Sequence, residues 1–378
     1  MLVVDDSGAR PGKGNRTDSK TIPMLLHYGS WQKGIDMKLQ ESTTEAVAAT
    51  REQRAKAAGR RYRRQQSAFD ILIIFLIVQV ISVIYGLINP TTFAYNSFAN
   101  IQNALGAIPV VTGIPALGVG ILMIAGEFDL SVGANFIFSS ILMAQLNTNG
   151  LSVWLAALIG LAVGTGIGLL NGVITLRLGI PSFITTLGTM LIWQAGTLFV
   201  HGASSQPFSP SPGFAALTAG NLGVFPADFL WFVVLAIAFW ALLQRNRIGN
   251  HIFAAGGNKQ AATATGVRVD RTKLIAFSLA GACAALGGIL SASQIGNIAP
   301  STGDVLPLQA IAACVIGGLA LTGGRGTILG IVLGSALIYW ISDVLLLIGA
   351  PGFYITAPVG ILIIAAAAIY EILRARRA

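Results

Sequence analysis

Two carboxylates, Glu127 and Asp129, stand with Ser131 in the segment Gly126-Glu-Phe-Asp-Leu-Ser-Val-Gly133, between two apolar runs. A charged side chain next to lipid is expensive and marks function by default: an ion or proton path, a hydrated route or a hinge. Asp129 also suits an Asp-x-x-x-Gly helix start in which its side chain caps the next helix. A capped break can line a pathway too. A third acid, Asp343, lies among Trp340, Leu345 and Leu346 and needs a partner or solvation. It is expected to face a pathway or a dimer axis, or to snorkel to the outer interface. Other chemistries find little support. His201 has no neighbouring acid and His251 stands alone in a loop, so intramembrane acid–base catalysis is a poor fit. Cys283 and Cys314 fall inside apolar stretches and read as packing residues, and no His/Cys cluster suggests a metal. The sequence holds no G-x-x-x-x-G-K-[ST] phosphate loop, so ATP hydrolysis by that mechanism is not expected of it.

The elements that must position these residues are membrane spans. Only 10% of the 378 residues are charged and 54% are hydrophobic, whereas a soluble domain carries about 25% charged residues. Apolar runs cover 69–88, 107–125, 132–146, 153–176, 180–200, 228–243, 274–292, 309–322, 328–349 and 354–372. The reading is an all-α polytopic bundle of about ten segments. The third and eighth are too short for a full span and are expected to be broken or re-entrant helices buried in protein. With both termini in the cytosol, the outer loops are 89–106, 147–152, 201–227, 293–308 and 350–353. None of the 24 Lys and Arg residues falls in them, which is what the positive-inside rule requires. The net charge of +9 therefore reflects orientation in a bilayer and not nucleic-acid binding.

Residues 1–68 form a polar, basic extension, with Arg51, Arg54, Lys56, Arg60, Arg61, Arg63 and Arg64 close together. A surface helix is expected over 41–64, disorder before it, and Met37 is a plausible start of its own. Residues 69–378 form the membrane domain. Within it, Gly160, Gly164, Gly168 and Gly172, and likewise Gly326, Gly330 and Gly334, recur every four residues. Such stripes let helix backbones approach closely in lipid, here within one subunit.

The longest cytosolic loop, 244–273, contains Gly256-Gly-Asn-Lys-Gln-Ala-Ala-Thr-Ala-Thr-Gly266. Asn258 reads as an N-cap, 259–265 as about two helical turns and Gly266 as the stop. So short a helix must dock on something. The small Ala261 and Ala262 would let it enter a partner's groove.

In order and spacing, five stretches make the chain resemble the permeases of ribose/xylose-type sugar ATP-binding-cassette (ABC) importers. They are 127–133, 181–188, 256–262, Ala310-Ile-Ala-Ala313 with Gly317-Gly318, and Gly323-Gly-Arg-Gly326, within about 69–374. The run Pro307-Leu308-Gln309 departs from that family's usual Glu-Leu-Asp. The resemblance implies a multi-pass subunit of the bacterial inner membrane, often a homodimer. It implies a cytosolic ABC ATPase that hydrolyses ATP with Mg, and a periplasmic sugar-binding protein. This chain would bind no cofactor itself. The resemblance assigns ATPase docking to Asn258, Lys259, Ala261, Ala262 and Gly266. It makes Glu127, Asp129, Ser131, Asn171, Phe183, Thr185, Thr186 and Asp343 candidates for the sugar route or its hinges. The competing reading is an ion-coupled secondary transporter using Glu127, Asp129 or Asp343.

Overall fold

The computed structural model describes residues 71–351 together with Ala357, Gly360, Ile361 and Ile364. The basic extension, Met37, the helix expected over 41–64 and most of the tenth run lie outside the described residues. Helix α1 covers Ile71–Ile88. Then come α2 (Phe98–Ile108), α3 (Ile114–Ile124), α4 (Val132–Thr148), α5 (Val153–Leu178) and α6 (Ser182–His201). A short α7 (Pro212–Thr218) precedes α8 (Ala227–Arg245), α9 (Arg247–Gly257) and α10 (Lys259–Ala264). The described part closes with α11 (Val269–Ile295), α12 (Leu306–Ile316) and α13 (Ile328–Leu347). Among the described residues, seven helices are long and apolar enough to cross a membrane. The chain is a polytopic all-α membrane protein.

The two short segments are short helices, as expected: α4 has 17 residues and α12 only 11. The second span differs from the sequence reading. It starts at Phe98 and not at 107, because α2 runs through a π turn, Pro109–Gly113, directly into α3. Pro109 and Pro115 lack the N–H that the helical ladder needs, and the ladder changes register there. Asn100, Gln102 and Asn103 hid this start by interrupting the apolar run. Asn100 donates instead to Asp343 Oδ2 at 3.1 Å, so its polarity is absorbed by a neighbouring helix.

Helix α11 is the axis of the bundle, packed along α5, α3 and α4. Its 27 residues span about 40 Å at 1.5 Å per residue, enough to join the loop carrying α10 to the opposite side. There the two-residue strands Gln206–Pro207 and Asn297–Ile298 pair antiparallel and tie two outer loops together. The first glycine stripe is what lets α5 approach the axis. A Cβ on Gly168 would collide with the Phe277 carbonyl, and one on Gly281 with the Gly164 carbonyl. The second stripe packs inside the chain as well: Gly330 faces the Gly317 carbonyl and Gly334 the Ala313 carbonyl. Cys283 and Cys314 are free and buried, against Gly118 and Gly120 of α3. Apolar side chains such as Leu191, Ile192 and Phe199 on α6 and Val234 and Ile237 on α8 remain exposed, a surface suited to lipid.

Gly281→Val is expected to destabilise the fold by about 1–3 kcal/mol through overpacking. Gly166→Val, on a face of α5 where nothing lies within 4 Å, should be close to neutral. Thermal unfolding of both variants in detergent checks this. Equal losses would overturn the assignment of the close α5–α11 contact.

Candidate functional site

The segment 125–131, between α3 and α4, is a break whose backbone is held by side chains of α6. Ser182 Oγ, in the first turn of α6, accepts the Phe128 N–H at 3.1 Å. One turn on, Thr186 Oγ1 accepts the Leu130 N–H at 3.1 Å and donates to the Ser182 carbonyl at 2.7 Å. Non-helical backbone at membrane depth requires such partners. Asp129 does not cap α4 as its spacing suggested. Its Oδ1 accepts the Ser131 amide at 2.8 Å and the Ser131 hydroxyl at 2.7 Å, closing an Asx turn one residue before the helix. Asn171 Nδ2, from α5, donates to Ser131 Oγ at 2.7 Å and reaches Asp129 Oδ2 at 3.5 Å. Glu127 pairs with Lys273 of α11, and both side chains are nearly buried. Thus Glu127, Asp129, Ser131, Asn171 and Thr186 form one cluster spanning the break, α5, α6 and the cytosolic end of α11.

Directly against this break lies the C-terminal end of α9, which leads into α10. Gly256 packs on Gly126 and on Gly324, and Gly323 packs on both Gly126 and Gly256. The Gly324 N–H donates to the Ile124 carbonyl at 2.8 Å. Gly126, Gly323 and Gly324 all have positive φ, and a Cβ on Gly256 would strike the Ile124 carbonyl. Only glycine satisfies both the turns and the contact distance. Three chain segments therefore touch backbone to backbone, with no side chain between them.

Helix α10 forms as its sequence indicates. Asn258 Oδ1 accepts the Ala261 N–H at 3.0 Å, and Gly266 ends the helix with φ +83°. Lys259, Gln260, Ala261, Thr263 and Gly266 are exposed. Ala262 is not free to enter a partner, because it is buried against Ala255 and Val269 of its own chain. It anchors the helix that its neighbours present.

The remaining candidates stand apart from the break in different ways. Phe183 is exposed, while Thr185 is buried with its hydroxyl unpartnered. Asn171 Oδ1 and Thr175 Oγ1 are also buried without partners. Asp343 is buried and bonded to Asn100, away from the cytosolic break. Sequence reasoning missed three residues. Ser182 was part of a quoted motif but not singled out. Lys273 lies among the loop cations, and only its place at the start of an apolar run marks it. Asn135 bonds to the Gly164 and Gly281 carbonyls at 3.0 and 3.2 Å, joining α4, α5 and α11. A lone amide within an apolar run was its only signal.

The family model described as branched-chain amino acid transport system / permease component matches residues 100–367. This chain belongs to that family of permeases. The matched region includes the break, α10 and the glycine junction. The galactose/methyl galactoside import permease of Escherichia coli (strain K12) is 35% identical, over 80% of this chain and 95% of its own length. The ribose import permease of Bacillus subtilis (strain 168) is 32% identical, over 77% and 90%. The D-allose transport system permease of Escherichia coli (strain K12) is 32% identical, over 78% and 90%. No solved structure matches.

In this permease the Glu127–Lys273 pair should show the asymmetry of nearly buried charges. Lys273→Met alone leaves a carboxylate unpaired and is expected to cost about 3 kcal/mol, while the double variant Glu127→Gln/Lys273→Met should lose less than the single. Detergent unfolding of both variants checks this, and additive losses would mean the two side chains do not depend on each other.

Proposed function

We propose that this chain is the membrane-spanning subunit of an ATP-driven, binding-protein-dependent importer of sugars or polyols in a bacterial inner membrane. Similarity to ribose, allose and galactose permeases over 77–80% of this chain supports the sugar class over the amino-acid wording of the family description. The observation that carries the mechanism is α10. It is a capped two-turn helix, anchored by Ala262 and exposed at Lys259, Gln260, Ala261 and Thr263, at the end of a chain segment in backbone contact with both helix breaks. A cytosolic ABC ATPase that grips the exposed face would move 256–257, and the junction would pass that motion to 125–126 and 323–324. ATP and Mg then act on the partner and not on this chain, whose sequence has no phosphate loop. A periplasmic binding protein delivers the cargo, and a second permease copy completes the pore.

An ion-coupled transporter is not favoured. Each of its three candidate acids is engaged within the chain: Glu127 by Lys273, Asp129 by Ser131 and Asn171, and Asp343 by Asn100.

Reconstituted with its ATPase and binding protein, the permease should take up at least one of D-ribose, D-allose and D-galactose only when ATP is supplied. Ala261→Arg, on the exposed face, should reduce co-purified ATPase at least tenfold and leave membrane insertion intact. Uptake driven by a proton gradient without nucleotide would overturn the proposal. So would full ATPase binding by the Ala261→Arg variant.

A further inference from the structure

An open-sided cavity of about 270 Å³ lies between the first turns of α4, the second half of α6 and the segment that follows α11. That is close to the lower bound of about 300 Å³ for small-molecule pockets. Its polar lining is Gln194, Thr197, Ser301 and Asp304, and Ile137 and Leu198 are among its apolar lining. Gln194 Nε2 donates to Asp304 Oδ1 at 3.2 Å. The other carboxylate oxygen has no hydrogen-bond partner among the described residues.

The location matters as much as the lining. Asp304 follows the outer end of α11, yet Gly303 packs backbone to backbone on Gly133, in the first turn of α4. A Cβ on either glycine would collide with the other's carbonyl. Helix α12, which starts just beyond at Leu306, has 11 residues and covers only about 16 Å, against about 30 Å of hydrocarbon. The chain between α11 and α12 therefore dips into the membrane from outside. The Gly133–Gly303 contact closes the cavity one turn above the cytosolic break.

We infer that this cavity is the outward-facing half of the solute route. In it Asp304 and Gln194 engage the hydroxyls of a neutral sugar or polyol, and Gly133 with Gly303 forms the floor that must part for passage. The inference rests on the sugar-importer reading and names residues for it. A carboxylate and a carboxamide are acceptors and donors suited to adjacent hydroxyls. The apolar lining suits the C–H faces of a sugar ring. The lining contains no cation, so a phosphate or carboxylate solute would meet an uncompensated negative charge. The candidate residues near the break lie beneath the floor and act on its opening, not on first contact with the solute.

The test has two arms. The two cysteines of the chain, Cys283 and Cys314, are buried, so single-cysteine probes can be read directly. Gln194→Cys and Ser301→Cys, at half-buried and exposed positions of the lining, should react with a membrane-impermeant maleimide added outside cells. Val234→Cys, on the exposed apolar face of α8, should not. If the Gln194 and Ser301 variants are as inert as Val234→Cys, the cavity is no outward route and the inference falls. In the reconstituted complex, Asp304→Asn and Gln194→Leu should each lower uptake of the transported sugar about tenfold or more, the scale of losing a hydrogen bond to a charged group. Co-purified ATPase, which reports folding, should be unchanged. Wild-type uptake by both variants overturns the role of the pair. If the parent complex moves none of the three sugars, the importer reading fails instead, and the labelling arm still decides whether the cavity opens outward.

Discussion

A backbone that leaves the helical ladder inside a membrane must find donors and acceptors in the protein itself, because lipid offers none. The rest of this structure depends on how that demand is met at residues 125–131. The hydroxyls of Ser182 and Thr186 take the N–H groups of Phe128 and Leu130, and Asp129 takes that of Ser131. Asn171 then ties the Asp129–Ser131 unit to α5. Each of these groups comes from a different position in the chain, so the break has a defined shape only when α4, α5 and α6 are assembled around it.

The same economy of contact recurs in the glycine regions. Between α5 and α11, and again where the 256–257, 125–126 and 323–324 segments meet, backbone lies on backbone. Flexible side chains would absorb a displacement; peptide planes in contact transmit it. The permease thus combines a break stabilised by hydrogen bonds with a junction that has little compliance, and α10 sits at the end of that junction facing the cytosol.

Much of the fold was legible in composition and periodicity. The spans follow from apolar runs, and α10 from Asn258, Ala261 and Gly266. What was not legible came from tertiary pairing. Asn100 looks like a loop residue until Asp343 is placed opposite it, and this displaced the start of the second span from 98 to 107. Asp129 has the spacing of a cap, and only the fold shows its carboxylate turned to Ser131 ahead of the helix. Thr186 reads as a route-lining hydroxyl, yet its bonds go to Leu130 and Ser182. Ala262 reads as part of a docking face, yet Val269, seven residues later, covers it. In the cavity, Gln194 and Asp304 are 110 residues apart, and no spacing rule joins them.

The orientation of α10 also bears on how readily such systems exchange components. The methyl group of Ala262 packs the helix on its own bundle and Lys259 pairs with Asp270 of α11 at 3.9 Å, while Gln260 and Thr263 contribute nothing to that attachment. Their identity can drift or be rewritten at no cost to the membrane domain. Under the proposed function, the choice of ATPase is separable from how the permease handles cargo, because the residues that would meet the partner are not those that hold the helix in place.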